Sequence, residues 1–296
     1  MYDHILVPTD GSDHAERAAE HAALLAEAFD ATLHLLTVVD IEAAAGPFSA
    51  GGVDEAYVER RSAAEREALT ELADSLGGAV AGETEVVTGQ PAEGVLDYVT
   101  DHEADLVVMG THGRSGLRRY LTGSVAERVL RLSPVPVLTV RATAESSVGA
   151  GYEDILVPTD GSERSDAAVT HAVDVAAAFG STLHAVSVVN VGDIGTGAEL
   201  SVPEELLDEL EAGATEATDA VADEARAAGI EAVTAVRTGR PKRDLLEYIE
   251  THDIDLVCMG THGRTGLDRV LLGSTAEALV RQSDVPVLTV STTQRN

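Results

Sequence analysis

The sequence predicts an α/β protein of two tandem domains, each a five-stranded parallel sheet flanked by helices. Three observations predict it. The first is duplication: Asp3-His-Ile-Leu-Val-Pro-Thr-Asp-Gly-Ser12 recurs as Glu153-Asp-Ile-Leu-Val-Pro-Thr-Asp-Gly-Ser162, Thr88-Gly-Gln-Pro91 as Thr238-Gly-Arg-Pro241, and Val135-Pro-Val-Leu-Thr-Val140 as Val285-Pro-Val-Leu-Thr-Val290, always 150 positions later. Two copies at one constant offset are a doubled domain, not a solenoid. The second is a regular alternation of short aliphatic runs with helical periodicity, five times per copy. The third is composition. Only 3% of the 296 residues are aromatic and Trp is absent, so the core is Val, Leu, Ile and Ala, which suits strands buried on both faces.

In the first copy, Ile5-Leu-Val7 reads as a buried strand ending at the turn Pro8-Thr9-Asp10-Gly11. Ser12 is placed to cap a helix whose Ala18, Ala22, Leu25, Ala26 and Phe29 share one face, as Ala168, Ala172, Val175, Ala176 and Phe179 do in the repeat. A strand follows over 32–39, and Gly46-Pro47 with Gly51-Gly52 marks a flexible loop. A helix is expected over 53–76, a strand over 83–88, and a helix from Pro91 to about Asp101. Leu106 to Met109 is the fourth strand, 124–132 a helix, and 135–140 the fifth strand. Domains are expected over 1–141 and 152–296, with 142–151 as linker. Pro134, Pro136 and Pro286 restrict the fifth strands to sheet edges, and exposed edges need a partner. The expectation is an intramolecular pseudo-dimer in which the two fifth strands pair, with a homodimer of chains as a further level.

The formal charge is −31. It is spread evenly: residues 1–150 hold 25 acidic and 10 basic residues, and 151–296 hold 26 and 10. Lys242 is the only lysine. Self-repulsion on this scale is relieved by salt, so a salt-adapted cytoplasmic protein is expected. A general nucleic-acid surface needs a basic footprint, and none is visible. One cysteine, Cys258, excludes an intrachain disulfide and a paired-cysteine zinc site, and its aliphatic setting reads as buried and inert. No signal peptide and no membrane-length apolar run is seen.

The chemistry is expected at strand carboxyl ends, where open α/β sheets bind ligands. Pro8-Thr9-Asp10, Val38-Val39-Asp40 and Gly110-Thr111-His112-Gly113 all follow strands. The last leads, after nine residues, to Gly123-Ser124, and the pattern returns as Gly260-Thr261-His262-Gly263 and Gly273-Ser274. Glycines at 110 and 113 are expected to adopt positive φ and bring amides close to a ligand. The helix opening at Gly123 would add free N–H groups and a favourable dipole for phosphate. The alternative is a tight strand-to-helix connection that binds nothing.

Gly110-x2-Gly113-x9-Gly123-Ser124, with Val7-Pro-Thr-Asp-Gly-Ser12, resembles the ATP-binding branch of the universal stress protein family, and the whole chain is similar to a tandem member. The resemblance implies flavodoxin-like, Rossmann-like domains of strand order 3-2-1-4-5. It implies that Asp10 meets the ribose or the phosphate-bound Mg²⁺ or Mn²⁺, that the Val39 backbone receives adenine, and that Gly110, Gly113, Gly123, Ser124 and Val125 hold phosphates, with Pro8, Met109 and Thr111 beside them. In the second copy the matching positions are Pro158, Asp160, Val189, Met259, Gly260, Thr261, Gly263, Gly273, Ser274 and Thr275.

Read without the family, Asp10 is equally a turn residue, and Thr9 and Thr159 share that ambiguity. Arg114 and Arg264 are either phosphate partners or solvated arginines. His112 reads as a hydrogen-bonded loop residue rather than a catalytic base, and His34 and His184 as structural. A basic cluster, Arg240, Lys242 and Arg243, replaces Gln90, Ala92 and Glu93, either as surface drift or as a second anion or partner contact. The loop lacks the Gly-Lys-Ser/Thr of a P-loop. The expected function is therefore nucleotide holding in stress response or signalling, one site per domain, without rapid turnover. The alternatives are a slow ATPase or nucleotidyl-transfer enzyme, or a nucleotide-free interaction module.

Overall fold

Runs such as Ile5-Leu-Val7 and Leu106-Val-Val108 are aliphatic on successive residues, and burying both faces requires helices on both sides of a parallel sheet. A computed structural model shows this arrangement, describing residues 1–40, 55–77, 82–113, 123–190, 203–261 and 272–291. The chain forms two units, Met1–Val148 and Gly149–Asn296.

The first unit runs β1 (His4–Pro8), α1 (Asp13–Phe29), β2 (Thr32–Val39), α2 (Glu55–Ser75), β3 (Gly82–Thr88), α3 (Pro91–Asp101), β4 (Leu106–Gly110), α4 (Ser124–Leu132) and β5 (Val137–Val140). All its pairings are parallel, in the order β3-β2-β1-β4-β5. The order reverses between β1 and β4, which opens a crevice at their carboxyl ends. The second unit repeats the plan as β6 (Asp154–Pro158), α5 (Glu163–Phe179), β7 (Thr182–Asn190), α6 (Glu204–Ala227), β8 (Ala232–Gly239), α7 (Pro241–Thr251), β9 (Leu256–Gly260), α8 (Ser274–Gln282) and β10 (Val287–Val290). Its order is β8-β7-β6-β9-β10, again parallel.

The expected helix face is the buried one. Ala18, Ala22, Leu25 and Ala26 of α1 lie against the sheet, and Phe29 turns its ring edge-on to buried Tyr2 at 5.1 Å. The repeat does the same with Tyr152 and Phe179 at 5.3 Å. Asp105 ties the start of β1 to the approach to β4: one carboxylate oxygen accepts from the amides of Asp3 at 2.9 Å and His4 at 3.1 Å. Asp255 repeats the clamp on Glu153 and Asp154 at 2.8 and 3.0 Å. Cys258 is fully buried, and that burial pushes its thiol pKa up, as expected of an inert thiol.

One expectation needs correction here. The fifth strand begins at Val137, not Val135. Pro136 has no N–H to give the ladder, and both backbone groups of Val135 turn instead to the Ser133 hydroxyl. The first unit as it packs extends through Val148. The Ser146 carbonyl accepts from Arg17 Nη1 at 3.2 Å and His21 Nε2 at 2.9 Å, so the segment is fastened to α1. The loop expected around Gly46–Gly52 lies outside the described residues.

Candidate functional site

The first wall of the site is the turn after β1. Thr9 N donates to Leu36 O at 2.8 Å, which holds the turn against β2, and Thr37 Oγ1 donates to Thr9 O at 3.2 Å. Gly11 sits at φ 69°, a left-handed conformation that glycine adopts without cost, and its amide donates to Thr9 Oγ1 at 3.1 Å. The Asp10 carboxylate accepts from Ser12 N at 3.1 Å, closing an Asx turn. The Thr9 and Asp10 side chains are therefore turn-closing groups, as their residue types alone allowed. Asp10 also reaches outward, because its second carboxylate oxygen lies where a Cβ on Gly113 would stand.

The second wall is the glycine loop after β4. Thr111 N donates to Val140 O at 2.9 Å, and Gly123 N donates to Thr111 O at 2.7 Å, bringing the start of α4 back onto the loop. Ser12 spans the two walls: its hydroxyl donates to His112 O at 3.3 Å and accepts from Ala15 N at 3.4 Å as the α1 cap. Residues about 100 apart in sequence thus converge in the β1/β4 crevice. Gly123 caps α4 in an extended conformation and offers no side chain to the amides of the first turn, so the start of α4 fits an external anion.

The loop glycines are not there for positive φ. Among the described residues, the positive-φ glycines include Gly11 and Gly161 but not Gly110, Gly113 or Gly123. Close approach demands them instead. A Cβ on Gly110 would sit 2.8 Å from the carbonyl carbon of His14 and 3.0 Å from Ala15 N, inside the first turn of α1. Gly110 therefore serves helix–strand packing, and Gly113 makes room for the Asp10 carboxylate.

Pro8 ends β1, and Met109 is a buried strand residue. Val39 ends β2 and pairs with Thr88 of β3, and its carbonyl accepts from Gly89 N at 3.1 Å, leaving one lone pair for another donor. Ser124 and Val125 form the first turn of α4. His112 Nδ1 bonds the Thr111 hydroxyl at 3.0 Å, in line with the loop-residue reading. Arg114 lies outside the described residues.

One neighbour escaped sequence reading. The His14 ring lies against that of His112, centroids 5.3 Å apart, and its Nδ1 accepts from Ala142 N at 2.8 Å. Burial first, and Arg141 second, hold the pKa of His14 below its usual value, with Asp13 and Asp10 opposing. Its only sequence signal was a departure from the repeat, since position 164 is Arg.

The second unit reproduces the first wall. Thr159 N donates to Val186 O at 2.9 Å, Gly161 has φ 71° and donates to Thr159 Oγ1 at 3.1 Å, and Asp160 accepts from Ser162 N at 3.1 Å. Here Ser162 Oγ donates to Asp160 itself at 2.6 Å. Pro158 ends β6, Met259 and Gly260 end β9, and Val189 lies beside Thr238. Gly273 N donates to Thr261 O at 2.8 Å and caps α8 without a side chain, ahead of Ser274 and Thr275. His262, Gly263 and Arg264 lie outside the described residues. The cationic cluster stands at the start of α7, where the Asp244 carboxylate accepts from Arg240 N at 2.7 Å and offsets the unfavourable dipole.

Among the described residues, no group of three or more His, Cys, Asp or Glu side chains is arranged to hold a metal ion.

A family model described as the Universal stress protein family matches residues 1–141 and again 151–291. A universal stress protein of Mycolicibacterium smegmatis is 31% identical over 297 residues, covering 97% of this chain and 96% of its own. One from Methanocaldococcus jannaschii is 40% identical over 144 residues, covering 48% of this chain and 83% of its own length. Among solved structures, a universal stress protein from Archaeoglobus fulgidus superposes with a TM-score of 0.71 at 24% identity, covering 98% of this chain and 96% of that one. At that identity the likeness is one of fold.

Proposed function

Since the chain belongs to the universal stress protein family, we propose that it serves stress response or signalling by holding ATP, or a related adenine nucleotide, in one site per unit. The observation that carries this reading is the meeting of the Asp10–Ser12 turn with Gly113 and the uncapped start of α4. Phosphate oxygens would take the first-turn amides at Ser124 and Val125, and at Ser274 and Thr275 in the repeat. Ribose hydroxyls would donate to Asp10 or Asp160, and the base would lie toward Val39 or Val189. Gly110 keeps the strand close to its helix, and Arg114 and Arg264 would balance phosphate charge. Mg²⁺ or Mn²⁺ would arrive with the phosphates.

The reading is of a holder rather than a fast hydrolase. The first unit has no lysine to bridge phosphates, and its loop lacks the Gly-Lys-Ser/Thr of a P-loop. The charge of −31 disfavours nucleic-acid partners. Among the described residues no helix is long and apolar enough to cross a membrane. A cytoplasmic location and pairing through the fifth strands, within a chain or between chains, belong to the same proposal.

Mass spectrometry of nucleotide released from freshly purified protein tests it, followed by calorimetry with ATP in molar KCl. Bound adenine nucleotide with a stoichiometry near two is expected. No released nucleotide together with no ATP heat would leave an interaction module as the better reading. Sustained turnover that Ser124→Ala with Ser274→Ala abolishes would favour the enzyme.

A further inference from the structure

Each unit carries a histidine–tyrosine cluster at the amino-terminal ends of β1 and β2 or their repeats, opposite the crevice. In the second unit, His184 Nδ1 bonds Tyr248 Oη at 2.9 Å, and Tyr248 stacks on His252 at 3.8 Å with the planes 6° apart. His184 Nε2 meets Asp154 Oδ1 at 2.9 Å, and the Arg237 guanidinium lies 4.9 Å above the Tyr248 ring. In the first unit the same frame holds: His34 Nδ1 bonds Tyr98 Oη at 3.2 Å, and Tyr98 stacks on His102 at 3.8 Å and 9°. The residue facing His34 Nε2, however, is His4, whose Nδ1 is 3.2 Å away. An aspartate in one copy is a histidine in the other.

The two contacts respond to acid in opposite ways. Asp154 accepts from His184 whether or not the imidazole is charged, because a carboxylate has no N–H to set against the ring. Two imidazoles in contact share one proton between Nδ1 and Nε2. One added proton is accommodated, because His34 then donates from both nitrogens, to His4 and to Tyr98. A second proton sets N–H against N–H and one cation against another.

Among the described residues, the neighbouring carboxylates stand away from the ring-to-ring contact. Glu83 lies 3.8 Å from His34 Nδ1, on the far side of the ring from His4, and its side chain is largely exposed. Glu85 is 3.9 Å from His102 Nε2. Asp105 already accepts the His4 amide, and His102 lies 6.1 Å from His34 as a third imidazole. Burial first, then His4 and His102, hold the pKa of His34 below its usual value, while Glu83 opposes them. His34 in the opened state therefore takes up a proton before it does in the closed contact, and stability is lost as pH falls below about 6.5.

We propose that the first unit is the acid-responsive half of this protein: as pH drops through the histidine range, the His4–His34 contact opens the start of β1 and β2, while the Asp154–His184 contact holds the second unit closed. The inference does not depend on the nucleotide reading, because the cluster lies at the opposite ends of the strands.

Hydrogen exchange of the full chain, read by mass spectrometry at pH 7.5 and 5.2 and corrected for intrinsic rates, tests it. At pH 5.2 an opened histidine of ordinary pKa is about 20-fold more charged than neutral. Wild-type peptides spanning 4–8 and 32–39 should lose protection by about that factor beyond any loss over 154–158 and 182–190. His4→Asp should remove the excess, and Asp154→His should create one in the second unit. His21, buried in the first unit, and His171, half-buried in the second, contribute acid sensitivity of their own, but neither swap alters them. Equal losses in both units of the wild type would overturn the proposal. So would an undiminished excess in His4→Asp, a variant that only imports the arrangement already present in the other copy.

Discussion

Gly110 and Gly113 stand three residues apart in one motif, yet their replacement by alanine should fail in different ways. In Gly110→Ala the new methyl lands 2.8 Å from the His14 carbonyl carbon, 2.9 Å from its Cβ and 3.0 Å from Ala15 N. Two of these are backbone atoms in a helix packed on β4, so relief requires α1 to shift. Overpacking of this kind costs about 2–3 kcal/mol, and the loss of glycine's unfolded-state freedom returns about 0.5–1. The net is about 1–2 kcal/mol, or a melting temperature lower by about 3–6 °C for a unit of this size. In Gly113→Ala, among the described residues, the methyl meets the Asp10 carboxylate, the end of a side chain that can give way. Stability should change by less than about 0.5 kcal/mol, while adenine-nucleotide affinity of the first site falls about tenfold as Asp10 leaves its place. Circular dichroism melts and calorimetry in molar KCl read both quantities. An unchanged melting temperature for Gly110→Ala, or a loss of stability without loss of affinity for Gly113→Ala, would refute the division of labour.

Asp105→Ala should cost about 1–3 kcal/mol, because the Asp3 and His4 amides lose their acceptor; Asp255→Ala should match it in the second unit, and denaturant titration checks both. Burial lowers the pKa of His21 from 6.5 to about 4, so the unfolded chain takes the proton first as pH falls. Its contribution, about 3 kcal/mol, is present above pH 6.5 and lost progressively toward pH 4, and a His21→Gln variant should flatten that part of a stability–pH curve. Salt adaptation, proposed from the charge of −31, predicts a higher melting temperature in molar KCl than at low salt. Greater stability at low salt would reject it.

The sequence by itself determined the doubled α/β plan and the order of its elements. Aliphatic runs, the Ser12 cap, Pro91 and the α1 apolar face are local patterns, and a constant offset of 150 repeats them. It also placed the turn after β1 and the glycine loop at strand ends, where a crevice was to be expected. What those residues do to one another was beyond it, because distances between residues about 100 apart depend on packing. Only the tertiary structure decided that Gly110 yields to α1 and Gly113 to Asp10, that Ser12 bridges the two walls, and that residues 142–148 close onto the first unit. The same holds for His4. In the sequence it is one unmatched letter between two copies, and only its 3.2 Å approach to His34 turns the change from Asp to His into a difference in proton chemistry.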